Sequence, residues 1–325
     1  MILVTGASGF LGQHLLEVLA QRPMPVRGLY HSRKPDIDHP NLSWMPCDLL
    51  DVFAVAEAME RVTQVYHCAA IVSFDPAKSD RMIRENVAGT AHLVNAALEA
   101  GVQRLVHVSS VAALGRAAAA NGAPGLITEE THWEEHKSNS PYAESKYLAE
   151  MEVWRAMAEG LNAVILNPGI ILGEGDWSKG SARLAQIVYD EFPWFTRGVN
   201  SWVDVKDVAT AMVRLMDSSI CEERFIISAG NFSYKEIFTT LAKAMGRKPP
   251  FKEASPWMSE IVWRAEVLKS RLAGKEITIS KASARTAQSQ YLYNNQKFLQ
   301  QFPDFHYHSP EDTCRRIAAA FRKHH

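Results

Sequence analysis

The stretch TGASGFLG at residues 5–12 constrains what this chain can fold into more than any other. It follows the short apolar run MILVT and leads into HLLEVLAQ, whose apolar residues recur at helical spacing. Gly6, Gly9 and Gly12 therefore stand at a strand-to-helix turn. There, one glycine permits the tight turn, a second lets the backbone approach a pyrophosphate, and a third lets helix and strand pack closely. The start of a helix adds unpaired N–H groups and the positive end of its dipole. The spacing is G-x-x-G-x-x-G. The same glycines in a plain turn would mean little; the strand before and the helix after make them a dinucleotide-site signal.

Apolar runs alternate with helical patterns along the next 165 residues. PVRGLY (25–30), NLSWMPCD (41–48), QVYHCAA (64–70), VQRLVHVSS (102–110) and NAVILNPG (162–169) read as strands. Helices are predicted between them, the longest over 80–100. Parallel strands need crossovers and bury both faces, so the expected class is α/β, a doubly wound parallel sheet of the Rossmann type. Beyond residue 170 the regularity breaks, although WVDVKDVATAMVRLM and ERFIISA (223–229) each contribute a strand. The expected division is a dinucleotide domain at 1–169 plus about 203–229. A smaller, mostly helical substrate lobe takes about 170–202 plus 230–325.

A net charge of -1 gives no overall attraction to nucleic acid or anionic membrane, and no run reaches the length of a membrane span. MILVTGASGFLG lacks a basic region ahead of its apolar residues and reads as a strand, not a signal peptide. Cys47, Cys68, Cys221 and Cys314 are scattered without metal-ligand spacing, as expected for reduced thiols of a cytoplasmic protein.

The pattern Y-x-x-x-K occurs three times, at Tyr30 with Lys34, Tyr142 with Lys146 and Tyr293 with Lys297. Tyr30 ends a strand and runs into a turn. Tyr293 lies in YLYNNQK, where two asparagines favour a turn or cap. Tyr142 follows Pro141 at a helix start with Ser140 as cap, so Lys146 lies one turn away on the same face.

Taken in order, TGASGFLG, CDLLD (47–51), HCAA (67–70), NVAGT (86–90), VSSVAALG (108–115), YAESK (142–146), NPG (167–169) and WVDVKDVA (202–209) resemble the extended short-chain dehydrogenase/reductases. That group holds dihydroflavonol-reductase-like enzymes, 3β-hydroxysteroid dehydrogenases and nucleotide-sugar epimerases. The resemblance runs from the glycine loop to about residue 230. It implies a nicotinamide cofactor, with Tyr142 as acid/base and Lys146 tuning its pKa and holding the ribose. Counting back five from Gly115 selects Ser110 over Ser109 as the anchor of the substrate oxygen. Asn86 would support the site, against the plainer reading of a helix-surface or cap residue. The cofactor would lie along Ser8, Phe10 and Leu11 of the glycine loop, Asp48 and Leu49, Ala69 and Ala70, and Pro168, Gly169, Ile170 and Ile171. His67, within VYHCAA, reads as a packed sheet residue.

At the end of the second strand, where an NAD enzyme usually offers an acid, the sequence is LYHSRKP. His31, Ser32 and Arg33, with Lys34, suit a 2′-phosphate; NADP is favoured and NAD is the alternative. Val111, Ala112 and Ala113 stand where the family's dehydratases carry an acidic pair, which disfavours dehydration. The expected reaction is hydride transfer between the nicotinamide and a ketone or alcohol. A nucleotide-sugar epimerase and a non-catalytic dinucleotide sensor are the alternatives. Trp194, Phe195, Trp257, Met258 and Trp263 either line an apolar substrate pocket or form the small lobe's core; the core reading is preferred. Helices 80–100 and 142–158 would pair two copies into a homodimer, again by the resemblance.

Overall fold

The structure, a computed structural model, describes residues 1–325 except 38, 74, 117–123, 137–138, 256, 259, 262, 265–280 and 325, and omits the side chain of residue 282. The strands are β1 (Ile2–Thr5), β2 (Val26–Tyr30), β3 (Leu42–Pro46), β4 (Gln64–His67), β5 (Arg104–Val108), β6 (Leu126–Ile127) and β7 (Ala163–Pro168). They continue with β8 (Ile170–Leu172), β9 (Trp194–Phe195), β10 (Val199–Asp204), β11 (Glu223–Ile227), β12 (Gly230–Ser233), β13 (Lys252–Glu253) and β14 (Leu292–Tyr293). Seven of them form one parallel sheet in the order β11-β7-β5-β4-β1-β2-β3.

Because side chains alternate along a strand, each sheet strand feeds two cores. Ile2 and Val4, Val106 and Val108, and Val164 and Leu166 pack into one. Leu3, Leu105, Ala163 and Ile165 pack into the other. The first core is covered by helices α1 (Phe10–Leu19) and, from later in the chain, Val205–Asp217. The second is covered by α2 (Val52–Ala58), α3 (Ser79–Glu99) and α4 (Pro141–Ala158). A sheet apolar on both faces is what the alternating text requires, and the doubly wound class is the one found.

Helix starts follow local chemistry. The Ser140 hydroxyl accepts from the N–H of Ala143, and Pro141 opens α4, as its sequence predicts. Asp51 caps α2 in the same way.

The second region contains a three-stranded sheet, β12-β10-β8, with α5 (Arg183–Tyr189) and α7 (Tyr234–Met245) packed in its core, whereas α6 (Val205–Asp217), which follows β10, is the helix that covers the first core of the main sheet. Its core gathers Leu172, Trp202, Ile237, Leu241 and Phe321. The helix Pro310–His324 is tied to the sheet side by charge: Arg316 donates to both oxygens of Asp204 at 2.6 Å and to Glu174 at 2.9 Å. The Thr313 hydroxyl donates to Asp204 at 2.6 Å. Thus Asp204 of the WVDVKDVA motif, at the end of β10, anchors the helix Pro310–His324.

Among the described residues, no helix is long and apolar enough to cross a membrane.

Candidate active site

Every segment singled out from the sequence for cofactor or catalysis reaches the carboxyl end of the sheet or the elements just above it. The order across the sheet is Asp48 after β3, His31 to Arg33 after β2, the glycine loop after β1, Ala69 after β4, Ser110 after β5 and Pro168 at the end of β7. From β2 to β5 is three strand spacings, about 14 Å. In open α/β sheets ligands bind outside these carboxyl ends, where the strand order reverses, here between β1 and β4.

The glycine loop fits a dinucleotide on steric grounds. Gly6 has φ +64°, and a Cβ there would stand 2.7 Å from the backbone nitrogen of Ala69. A Cβ on Gly12 would stand 2.1 Å from the Gly6 carbonyl oxygen. Gly9 caps α1 without a side-chain acceptor, which leaves the first-turn N–H groups to an external partner. Phe10 seats the loop against the second region, since a Cβ on Gly173 or Gly175 would meet its ring at 3.2 and 2.8 Å. Leu49 packs over Gly89 of α3, and its carbonyl bonds His92 at 2.9 Å.

At the cofactor edge His31, Ser32 and Arg33 are exposed. The His31 ring lies 3.2 Å from the Ser32 hydroxyl and 3.6 Å from the Asp48 carboxylate. The edge therefore carries an acid contributed by β3 as well as the basic turn.

The catalytic candidates converge. Tyr142 is half-buried, and the Ser110 hydroxyl acts on its phenol. Ser110 in turn accepts from the N–H of Ala112 at 3.1 Å. Lys146 is buried, and its Nζ donates to the carbonyl of Val108 at 3.1 Å. Asn86 is buried too; its amide accepts from the N–H of Ile71 at 2.7 Å and donates to the Ile71 carbonyl at 2.9 Å. It also donates to Ser145 at 3.3 Å, whose hydroxyl donates to the Tyr142 carbonyl at 2.9 Å. Asn86 is thus a buried clamp on Ile71, not a surface residue.

The electrostatics differ from the expected tuning of Tyr142 by Lys146. Burial holds the phenol above its ordinary value, with the Ser110 hydrogen bond acting the other way. Burial also lowers the Lys146 ammonium to about 8, against the pull of Cys68 and Glu150. The reason is that Lys146 turns toward the end of β5, while removal from water disfavours both charged forms. At neutral pH Tyr142 is therefore a neutral phenol.

Behind these groups lies a network that sequence reading did not find. Glu150, fully buried, accepts from Asn167 at 2.8 Å, from Arg224 at 3.0 Å and from Trp154 at 3.3 Å. Asn167 also donates to the Ser110 carbonyl at 3.0 Å. Arg224 grips the Glu129 carbonyl, and Glu129 accepts from the N–H of Ile226 at 2.9 Å. The missed signal was spacing: Tyr142, Lys146 and Glu150 recur every four residues, so the acid shares their buried face.

The other tyrosine–lysine pairs are not sites of this kind. Tyr30 ends β2; Tyr293 is buried in β14, and Lys297 pairs with Glu223. The Asn294 side chain accepts from the N–H of Gln296 at 2.9 Å, the turn of the two that its sequence allows.

The residues singled out from the sequence as the lobe's core do not form it. Trp194, Phe195, Met258 and Trp263 are half-buried and Trp257 is 66% exposed. They lie on short edge strands and a surface helix, outside the cluster around Trp202, with Lys235 over the Phe195 ring and Lys252 over Trp194. The remainder of 255–268 falls partly outside the described residues.

A Rossmann sheet carrying a glycine loop and an Asn–Ser–Tyr–Lys constellation at its carboxyl end defines the extended short-chain dehydrogenase/reductase class. Residues 2–227 match the NAD dependent epimerase/dehydratase family, and the chain belongs to that family. It is 27% identical to cinnamoyl-CoA reductase 1 of Petunia hybrida over 77% of this chain and 78% of the relative. It is 29% identical to a 4-hydroxy-2-methyl-3-oxo-4-farnesyl-3,4-dihydroquinoline-1-oxide ketoreductase of Stigmatella aurantiaca, over 87% of this chain and 89% of the relative. The fold matches UDP-glucose 4-epimerase of Thermus thermophilus, solved with NAD, with a TM-score of 0.75 at 24% identity, covering 99% and 98% of the two chains.

Proposed function

We propose that the protein is an NAD(P)-dependent reductase of a ketone or aldehyde, running the alcohol oxidation in reverse. The observation that carries this reading is the convergence of Ser110, Tyr142 and buried Lys146, whose Nζ is held by the Val108 carbonyl, at the strand ends that flank the glycine loop. A bound nicotinamide cofactor supplies the hydride; everything else falls to the chain. Ser110 holds the substrate oxygen in the position from which Tyr142 donates its proton. The raised phenol stays protonated at neutral pH, so it holds the proton that an oxygen gaining a hydride's electrons needs. Lys146 places positive charge by the site and takes the ribose hydroxyls, and Asn86 keeps the 69–71 wall in register.

The carbonyl substrate is apolar. Two relatives are named as reductases, one of cinnamoyl-CoA and one a ketoreductase of a 3-oxo-4-farnesyl-dihydroquinoline-1-oxide. The half-buried aromatics of the second region supply a matching surface. Val111, Ala112 and Ala113 after Ser110 offer no acid to expel water. The epimerase reading has the fold likeness to the Thermus enzyme in its favour. We further propose NADP over NAD from His31, Ser32 and Arg33, a homodimer through α3 and α4, a cytoplasmic location, and a division into a dinucleotide domain and a substrate lobe.

Side-by-side fluorescence titration with NADPH and NADH tests the reading, followed by a carbonyl screen with the tighter cofactor. A tenfold preference for NADPH, about 1.4 kcal/mol, together with NADPH consumption is expected. NADH-favoured binding, with a nucleotide sugar epimerised and no net cofactor turnover, would replace it by the epimerase reading.

A further inference from the structure

His67 reads from the sequence as a packed sheet residue, and it is buried. Its ring, however, lies in an unbroken polar chain. The Thr90 hydroxyl donates to the Asn86 carbonyl at 2.8 Å, so its oxygen is left to accept from His67 Nε2, 3.0 Å away. The proton therefore sits on Nε2, and Nδ1 is bare. Nδ1 then accepts from the Thr5 hydroxyl at 2.7 Å, and the Thr5 oxygen accepts the N–H of Ala69 at 3.2 Å. Each hydroxyl donates once and accepts once, and the direction of every bond follows from the first.

The two ends of this chain hold the same short segment. Thr5 fixes Ala69, against which Gly6 closes, while Asn86 fixes Ile71 through both its N–H and its carbonyl. Three elements, β1, β4 and α3, are joined through one imidazole.

We infer that His67 is a positioning residue: a neutral, tautomer-locked connector that sets residues 69–71 against the glycine loop and couples that wall to Asn86. This rests on the reading of the site as one for a nicotinamide dinucleotide. Thr90 is the place to test it, because valine fills the same volume without the hydroxyl, and Thr90→Ser restores it.

The experiment measures NADPH and NADH affinity together with amide hydrogen exchange at Ala69 and Ile71. In Thr90→Val both amides should exchange about tenfold faster and the preferred dinucleotide should bind about tenfold more weakly. Thr90→Ser should match the wild type. His67→Asn, whose amide reaches the Nδ1 position only, should behave like Thr90→Val, and the double variant should be no worse than either single one. If Thr90→Val and His67→Asn fold, bind within twofold of wild type and keep both amides protected, the inference falls and His67 is packing alone. If the wild type binds neither dinucleotide, the functional reading falls, and exchange at Ala69 and Ile71 still decides the connector.

Discussion

The carboxyl edge of the main sheet and the aromatic surface of the second region are built on opposite plans. At the sheet edge polar side chains are buried and held: Asn86 makes three hydrogen bonds, Glu150 three, His67 two. On the other region large rings face solvent, with Trp257 66% and Phe251 70% exposed and cations resting on Trp194 and Phe195. An unmade bond in a buried site costs the full desolvation of the group left behind, so geometry there is strict. A half-exposed ring gains little from any one arrangement and loses little on rearranging. On the proposed reading, chemistry sits where positions cannot drift, and substrate choice sits where they can.

The largest effect should come from Tyr142→Phe. Loss of the proton donor should lower turnover by about 10²–10⁴-fold while dinucleotide affinity stays near wild type. Retained turnover would move the acid/base role elsewhere along the edge.

Glu150→Ala tests the strictness of the buried network. Arg224 would keep its charge with its partner gone, a loss of about 3–5 kcal/mol in chemical denaturation. A loss below about 1 kcal/mol would show that burial does not make this network strict.

Lys146→Met should act in two directions at once. Activity should vanish, yet stability should rise by about 1–3 kcal/mol, because a cation lowered to about 8 by burial is removed. Unchanged or lower stability would mean that its bond to Val108 outweighs desolvation.

Acid should loosen the sheet edge before the lobe. His67, lowered to about 3 by burial and by nearby Lys146, binds fewer protons folded than unfolded. His107, its ring 5.0 Å away, is lowered in the same direction. Their contribution is fully present above the ordinary histidine value of about 6.5 and is lost as pH falls toward the folded value, by about 1.4 kcal/mol per unit for each group. Denaturation at pH 7, 6 and 5 should show this slope, and His67→Gln should make it shallower.

The smallest effect on stability is expected from Trp257→Ala, within about 0.5 kcal/mol, with any change confined to KM for an apolar carbonyl. A cost above about 2 kcal/mol would make the aromatic surface a core after all and dissolve the contrast.

Much of the edge was legible in the sequence because it rests on local rules. Glycines mark the strand-to-helix turn, Ser140 and Pro141 mark the start of α4, and four-residue spacing puts Lys146 on the face of Tyr142. Glu150 obeyed the same spacing and was passed over, since its partner Arg224 lies 74 residues away and only packing brings the two together. The core assignment of Trp194, Phe195 and Trp257 failed for a related reason: apolar character states what gains from burial, not whether neighbours exist to provide it.

By itself the sequence determined the alternation of strand and helix, the two-faced apolar sheet and the segments that meet at its carboxyl end, because periodicity and turn chemistry act over a few residues. Tertiary structure alone decided the proton on His67, the turn of Lys146 toward Val108, the carboxylate of Asp48 beside His31 and the anchoring of Arg316 by Asp204 and Glu174. Those outcomes depend on desolvation and on hydrogen-bond partners drawn from distant parts of the chain, and neither is a property of any short stretch.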